Sequence, residues 1–253
     1  MQKLIIFGKR LLKILRQSVN IVCVKYGKKY GADRVKRLYD MVKKNCTLPF
    51  TFYCLTDDKE LSYIYKPIPL NPDLDLESYW WKIQLFSLPW NSPTLYFDVD
   101  VVIQNNIDYL IKKIKRRRIL LIDSTLAGID QRYDIIINEK ANDPFCNSSI
   151  IGIYPKSVNH VYKNFIRDID YNVVTYFGLD RFISHNYREI CNSLCVKKDF
   201  YFRWKDPPPP RHMCHKVEID GSPVFLAYEP KKTLCIITQE HQNMYLGLEE
   251  YFI

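Results

Sequence analysis

Asp98 and Asp100 stand one residue apart at the end of the apolar run Leu95-Tyr96-Phe97. On a strand, residues i and i+2 project from the same face, so both carboxylates can reach one ligand. Two acids held together at the end of a buried strand repel unless something cationic lies between them. A hard divalent ion with oxygen ligands meets that need, and such ions commonly bridge a diphosphate. The plainer alternative is a pair of acids capping a strand end in solvent. The apolar Val101-Val102-Ile103 that follows favours the ligand-binding reading.

Other chemistry-bearing clusters are weaker. Eight cysteines include no CxxC pair. Cys191, Cys195 and Cys214, with His212 and His215 nearby, are spaced too irregularly for a regular zinc site. Cys23, Cys54 and Cys235 lie inside apolar strand-like runs, where cysteine behaves as a small hydrophobe. No signal peptide is evident, so reduced thiols in a cytoplasm are the expectation. Lys112, Lys113, Lys115 and Arg116-Arg117-Arg118 form the densest positive run. It suits an anionic acceptor or membrane, or it is a solvated helix face.

The elements that must position the acids follow from periodicity. Val19 to Val24 is a β-branched run that reads as a buried first strand. A Gly-punctuated loop from Tyr26 to Gly31 follows. Asp33 is placed to cap a helix running to about Asn45, with Val35, Leu38 and Val42 on one face. Phe50 to Leu55 is a second strand, closed by Thr56-Asp57-Asp58. Tyr63 to Leu70 is extended, since Pro67 and Pro69 argue against helix. Glu77 to Leu88 is an aromatic-rich helix stopped by Pro89. Thr94 to Ile103 is a third strong strand, and Ile107 to Lys115 a basic helix. Ile119 to Ile122 and Phe145 to Tyr154 are strands. Lys156 to Asp168 is a helix with Val158, Val161, Tyr162 and Phe165 inward, and Asp180 to Ile190 is another. Pro207 to Pro210 is a stiff exposed segment. Val224 to Ala227 and Leu234 to Thr238 are strand-like.

Strands alternating with helices over the first 190 residues imply an α/β fold with a mainly parallel central sheet and helices on both faces. Ligands of such sheets bind at the carboxyl ends of strands. Those ends are Lys25 to Tyr30, Thr56 to Asp58, and Asp98 to Asp100.

Composition sets the outer bounds. A chain of 253 residues, 47% hydrophobic and 26% charged, buries a substantial core as one domain with at most a short appendage. That composition excludes low-complexity disorder. The net charge of +9 suits any polyanion: nucleic acid, anionic lipid or nucleotide phosphate. Specific nucleic-acid binding is disfavoured, because no recognised nucleic-acid module accompanies the charge. Residues 1–18 carry Lys3, Lys9, Arg10, Lys13 and Arg16 and no acid. Leu4, Phe7, Leu11, Ile14 and Leu15 would share one helical face. This basic amphipathic segment is too broken by charge to span a bilayer. It either lies on an anionic membrane surface or packs on the domain's own core. The expected location is cytoplasmic, with peripheral membrane contact through residues 1–18 as one of those two readings.

The run Glu77-Ser78-Tyr79-Trp80-Trp81-Lys82-Ile83-Gln84-Leu85-Phe86, followed by Thr94-Leu95-Tyr96-Phe97-Asp98-Val99-Asp100-Val101-Val102, resembles the core of GT-A-fold glycosyltransferases. It is most similar to the glycogenin and lipopolysaccharide galactosyltransferase group, in which a helix bearing Lys or Arg precedes an apolar strand ending in DxD. The resemblance implies a GT-A-like, Rossmann-type single domain over residues 19–253. Its nucleotide-binding part would be about 19–105 and its acceptor and sugar part about 106–253. It further implies that Asp98 and Asp100 bind Mn2+ or Mg2+ and the donor diphosphate, with Val99 between them in the site. Lys82 would approach the donor phosphate or sugar and offset charge on the departing diphosphate. Val22-Cys23-Val24-Lys25-Tyr26 resembles the family's first strand, so Val24, Lys25 and Tyr26 would receive the nucleotide base. Phe145-Cys146-Asn147-Ser148-Ser149-Ile150-Ile151-Gly152-Ile153 resembles the family's Phe-Asn-Ser/Thr-Gly segment, with Asn147 and Ser148 facing the sugar; Ser149 stands where Gly is common. Gly178-Leu179-Asp180-Arg181-Phe182-Ile183 resembles a helix start whose Asp contacts donor-sugar hydroxyls. Arg181 replaces the usual Gln, so Asp180 alone carries over. The family's last metal ligand is a C-terminal His followed by Gly and Lys-Pro. Here His241, in Ile237-Thr238-Gln239-Glu240-His241, is the candidate without those companions.

The expected activity is transfer of a sugar from a nucleotide donor, UDP by family analogy, to a hydroxyl on a glycan, lipid or protein, with a divalent metal. Retention of anomeric configuration follows from the same analogy. Two rivals remain. A haloacid-dehalogenase-type phosphatase also carries a strand-DxD, but after its first strand and with a later Asp pair. A basic membrane-associated scaffold would retain the fold without catalysis.

Overall fold

Apolar residues on successive strand positions are buried on opposite sides of one sheet. A computed structural model of the chain describes residues 18–58, 65–99, 101–103, 105–123, 146–195, 200–203, 215–219, 222–226 and 234–237. Within them, β1 (Val19–Lys25), β2 (Phe50–Thr56), β3 (Lys66–Pro69), β4 (Thr94–Phe97), β6 (Ile119–Asp123), β7 (Cys146–Ile153) and β8 (Cys191–Cys195) form a seven-stranded sheet in the order β3-β2-β1-β4-β7-β6-β8. Every strand but β7 runs in one direction, so the sheet is mainly parallel. Ile21, Cys23, Leu95, Phe97, Leu120 and Ile122 join one apolar cluster, while Val22, Tyr96, Ile119, Leu121 and Ile151 join the other. That is the two-residue period of a sheet covered on both faces.

Helix α1 (Ala32–Asn45) covers the first face with Val35, Leu38 and Val42 fully buried. The second face is covered by α3 (Asn159–Phe165), α4 (Ile169–Tyr176) and α5 (Leu179–Asn186), around Trp80, Phe165 and Phe182. The short helix α2 (Asp108–Lys113) precedes β6. A smaller sheet has the order β5-β12-β9, from β5 (Val101–Ile103), β12 (Leu234–Ile237) and β9 (Phe200–Arg203). Strands β10 (His215–Ile219) and β11 (Ser222–Leu226) form an antiparallel hairpin. Pro67 and Pro69 sit on β3, the sheet's edge, where a missing N–H is tolerated. Among the described residues no helix is long and apolar enough to cross a membrane.

Several expectations need correction. The run Thr94 to Ile103 is not one strand. It divides at Asp98-Val99, where the Val101 amide donates to the Asp98 carbonyl at 3.1 Å, and β4 and β5 enter different sheets. Asp98 therefore follows the end of β4 and is not part of one continuous strand running to Ile103; Asp100 lies outside the described residues. The segment read as a helix over Glu77 to Leu88 is a 3-10 helix, Ser78–Phe86. Side chains three apart stack in such a helix. Trp80, Ile83 and Phe86 make one buried ridge, while Trp81 and Gln84 make a second. Tyr79 and Lys82 share a third that opens on a cleft. Asp33 lies in the first turn of α1 rather than at its cap, which is Gly31. Asp180 lies in the first turn of α5, whose cap is Gly178. The helix expected to reach Ile190 breaks at Tyr187, and α4 was not anticipated.

Gly152 lies at a close crossing within the sheet. It lies opposite Leu95 on one neighbour and Leu120 on the other. A Cβ there would come 2.7 Å from Leu120 Cβ and 2.9 Å from Ile114 Cγ1. Gly152→Ala is therefore expected to destabilise by about 2 kcal/mol, the usual scale of overpacking. The measurement is urea unfolding, with a lower midpoint at unchanged slope. An unchanged midpoint would show that the sheet yields at no cost.

Candidate functional site

The carboxyl ends of β1, β2, β4 and β6 and the amino end of β7 meet at one edge of the sheet, because β7 alone runs backwards. A cleft opens there, lined in part by Val24, Tyr26, Tyr79, Lys82, Asp98 and Val99, and it encloses about 690 Å³ of space continuous with solvent.

Asp98 follows the last residue of β4. Its amide continues the sheet by donating to the Ser149 carbonyl at 2.8 Å, which fixes the backbone beside β7. Its carboxylate receives a short hydrogen bond from the Tyr96 hydroxyl. Lys82 Nζ stands 3.4 Å from both carboxylate oxygens and donates to the Ser148 carbonyl at 3.3 Å. The Lys82 side chain is 13% exposed and that of Asp98 25%. Lys82 is thus held at the base of the cleft, not solvated on a helix surface. Its ammonium also lies 6.0 Å from the centroid of the Tyr96 ring.

Asp180 comes to the same place from α5. Its Oδ1 accepts from the Ser148 amide at 2.9 Å and, in a short bond, from the Ser148 hydroxyl. Burial raises its pKa above the ordinary value; the Lys82 charge and the Ser148 donors oppose that rise, and the Asp98 charge adds to it. Two carboxylates therefore lie within the field of one ammonium. Asn147 Oδ1 accepts from the Ser149 amide at 2.9 Å and so shapes the start of β7.

The opposite wall is aromatic. Tyr26 is 37% exposed and its ring lies 5.4 Å from that of Trp81, tilted by 36°. This places Tyr26 at the cleft rather than in the core. Its loop is gripped from β2. Lys25 Nζ donates to the Gly27 carbonyl at 3.2 Å and pairs with Asp58 at 3.1 Å. The Gly27 amide donates to both Asp57 carboxylate oxygens, at 3.2 and 3.0 Å. Gly27 adopts φ +62, a conformation that glycine takes without strain. Lys25 is buried, with its ammonium committed to this anchor.

The structure thus brings together Val24, Tyr26, Lys82, Asp98 and Val99 around the cleft, with Ser148 and Asp180 bonded behind Lys82. Asn147 neighbours Ser148 on β7, and Lys25 supports the Tyr26 loop. Asp100 and His241, the other two metal-ligand candidates, lie outside the described residues, as do residues 1–17, His212 and Cys214. Among the described residues no group of three or more His, Cys, Asp or Glu could hold a metal ion. Sequence reasoning missed Tyr96 and Tyr79. The signal for Tyr96 was the two-residue period that puts it on the same side as Asp98. For Tyr79 it was the three-residue spacing from Lys82, legible once the segment is a 3-10 helix.

No protein-family model matches the sequence, and no curated protein matches it either. Solved structures do match the fold. A galactosyltransferase, LgtC, solved with donor and acceptor sugar analogues, superposes with a TM-score of 0.58 at 11% identity, over 92% of this chain and 93% of that one. The bifunctional glycosyltransferase WbbM matches at 0.52 and 10% identity, over 74% of this chain and 40% of that one. A glycosyltransferase involved in glycosylation of the major capsid of PBCV-1 matches at 0.51 and 10%, over 92% of this chain and 99% of that one. The chain has a GT-A-like α/β fold.

Proposed function

We propose that the protein transfers a sugar from a nucleotide-sugar donor to a hydroxyl acceptor. The observation that carries this reading is Lys82 at the base of an open cleft, between the Asp98 carboxylate and Ser148, with Asp180 behind. A fold shared with glycosyltransferases supports it. Fold alone does not determine chemistry, so the weight rests on the site.

Each side chain has work to do in such a reaction. Tyr26, braced on Trp81, offers a flat face to a nucleoside base next to Val24. Lys82 offsets the charge that grows on the departing diphosphate, in a partly water-excluded position where that charge counts for more. Asp180, with Asn147 and Ser148, forms the sugar-facing wall, and Asp180 accepts from sugar hydroxyls with its remaining lone pairs. The donor is a UDP-sugar by the family resemblance, and the acceptor is a hydroxyl on a glycan, lipid or protein.

The donor set also suits a hard divalent ion. Asp98 turns a carboxylate to the cleft, and its neighbouring ammonium stands off at 3.4 Å, beyond the 2.7–2.9 Å typical of a tight charge-assisted bond. Asp98 would hold Mn2+ or Mg2+ together with Asp100 and His241. When bound, the ion supplies Lewis-acid stabilisation to the leaving diphosphate.

A thermal-shift screen of nucleotide sugars, with and without Mn2+, tests the proposal. A UDP-sugar is expected to raise the melting temperature more with Mn2+ than without it. If none of the nucleotide sugars stabilises the protein in either condition, the reading is wrong.

A further inference from the structure

We infer that the edge of the sheet opposite the cleft docks on an anionic lipid surface. Because every strand but β7 runs one way, the connections entering β1, β2, β4, β6 and β8 gather at that edge. Helix α1 ends there with Lys43 and Lys44, both exposed, in its last turn. Helix α2 is fastened beside it. The Ile107 amide donates to the Asn45 carbonyl at 2.9 Å, and the Asp108 carboxylate accepts from the Thr47 amide at 3.0 Å. The turn after α2 exposes Lys115, Arg116 and Arg117. Arg118, also exposed, donates to the Glu189 carbonyl just ahead of β8, which ties this turn to the next connection. At the end of β7, Lys156 is exposed at the same edge.

The sign of the edge is one-sided. Among the described residues that border this edge, 43–49, 87–93, 105–118, 154–158 and 187–190, the acids are Asp108 and the exposed Glu189. Asp108 is 9% exposed and occupied by Thr47. Clustered Lys and Arg attract anionic headgroups by about 1 kcal/mol each near the surface. A duplex nucleic acid would meet the same charges. The sequence before β1 favours lipid. Residues 1–17 precede β1 in sequence, carry basic side chains and no acid, and have Leu4, Phe7, Leu11 and Ile14 at helical spacing. Apolar side chains at that spacing add a second membrane signal to a polybasic patch, whereas a phosphate backbone has no use for them.

Docked in this way, the protein holds its cleft away from the bilayer. Nucleotide-sugar binding and lipid binding are therefore separable. The experiment is co-sedimentation of the full chain with vesicles of phosphatidylcholine, with and without phosphatidylserine. Binding is expected only with phosphatidylserine, and added salt should weaken it. Replacing Lys115, Arg116 and Arg117 together by Gln should weaken that binding roughly a hundredfold. The pair Lys43→Gln and Lys44→Gln, on α1 at the same edge, should weaken it about thirtyfold. Neither set should change the melting temperature or its response to nucleotide sugars with Mn2+. Equal binding to neutral vesicles, or unaltered binding by both variants, would overturn the inference. So would binding of an RNA or DNA duplex at salt that releases the vesicles.

Discussion

An Asp98→Asn variant is expected to fold normally and to lose sugar transfer by roughly 10²–10³-fold. The backbone reason for normal folding is local. The Asp98 amide bonds the Ser149 carbonyl, and its own carbonyl accepts from Val101; neither contact uses the side chain. The Tyr96 hydroxyl can donate to an amide oxygen as it does to the carboxylate. What the substitution removes is a full negative charge at the cleft, 3.4 Å from Lys82. Without it, the Lys82 ammonium keeps the Ser148 carbonyl but loses an ionic partner. An amide oxygen is also a far poorer ligand for a hard cation than a carboxylate. Stabilisation by a UDP-sugar should then no longer depend on Mn2+. Two measurements decide it: transfer rate with radiolabelled donor, and the melting temperature with and without the metal. A variant that retains wild-type transfer would show that Asp98 has no part in the reaction.

The sequence made some of this legible and hid the rest for identifiable reasons. Strand β1 and helix α1 could be read because their patterns are pure. Val19, Ile21, Val22 and Val24 are β-branched and apolar within six residues, and Val35, Leu38 and Val42 recur at helical spacing. The break at Asp98 was hidden because β4 and Val101 and Ile103 of β5 are buried, in two different sheets, so apolar residues run up to the acids from either side. The 3-10 helix was read as an ordinary helix for a related reason. Trp80, Trp81, Ile83, Gln84, Leu85 and Phe86 are all buried, and a segment buried on several sides shows no period to measure. Helix α4 escaped because Val173, Val174 and Tyr176 are strand formers by type. It is held instead by its ends. Asp168 accepts from the Tyr171 amide at 3.1 Å, and Phe177 turns left-handed at φ 51. The convergence of Lys82 with Asp98 is a tertiary fact that residue spacing does not contain. The anchoring of the Tyr26 loop by Asp57 and Asp58 was visible only as three polar residues closing a strand.

Asp180→Asn is the case in which stability and activity should move in opposite directions. The Ser148 amide and hydroxyl both donate to Asp180 Oδ1, and an asparagine oxygen can keep both bonds. Transfer should nonetheless fall about 10–100-fold, the scale of hydrogen bonds to a charged acceptor. Stability should rise, because the carboxylate is desolvated and burial is the largest influence on its pKa. The pH dependence gives the sign. In the unfolded chain the carboxyl ionises near the ordinary value of 3.8; in the folded chain it does so at higher pH. Between those two values the folded state holds a proton that the unfolded state has released. The contribution is therefore complete below the unfolded value and is lost as pH rises through the folded one. Asparagine does not titrate. Urea unfolding of both proteins in chelator, from acid to neutral pH, should show the wild type losing stability relative to the variant as pH climbs, with the gap levelling off once Asp180 is ionised. A gap that stays constant with pH would mean that burial does not govern Asp180. A gap that closes as pH rises would mean that Lys82 and Ser148 more than offset burial, and that the carboxylate sits in the site at no cost to the fold.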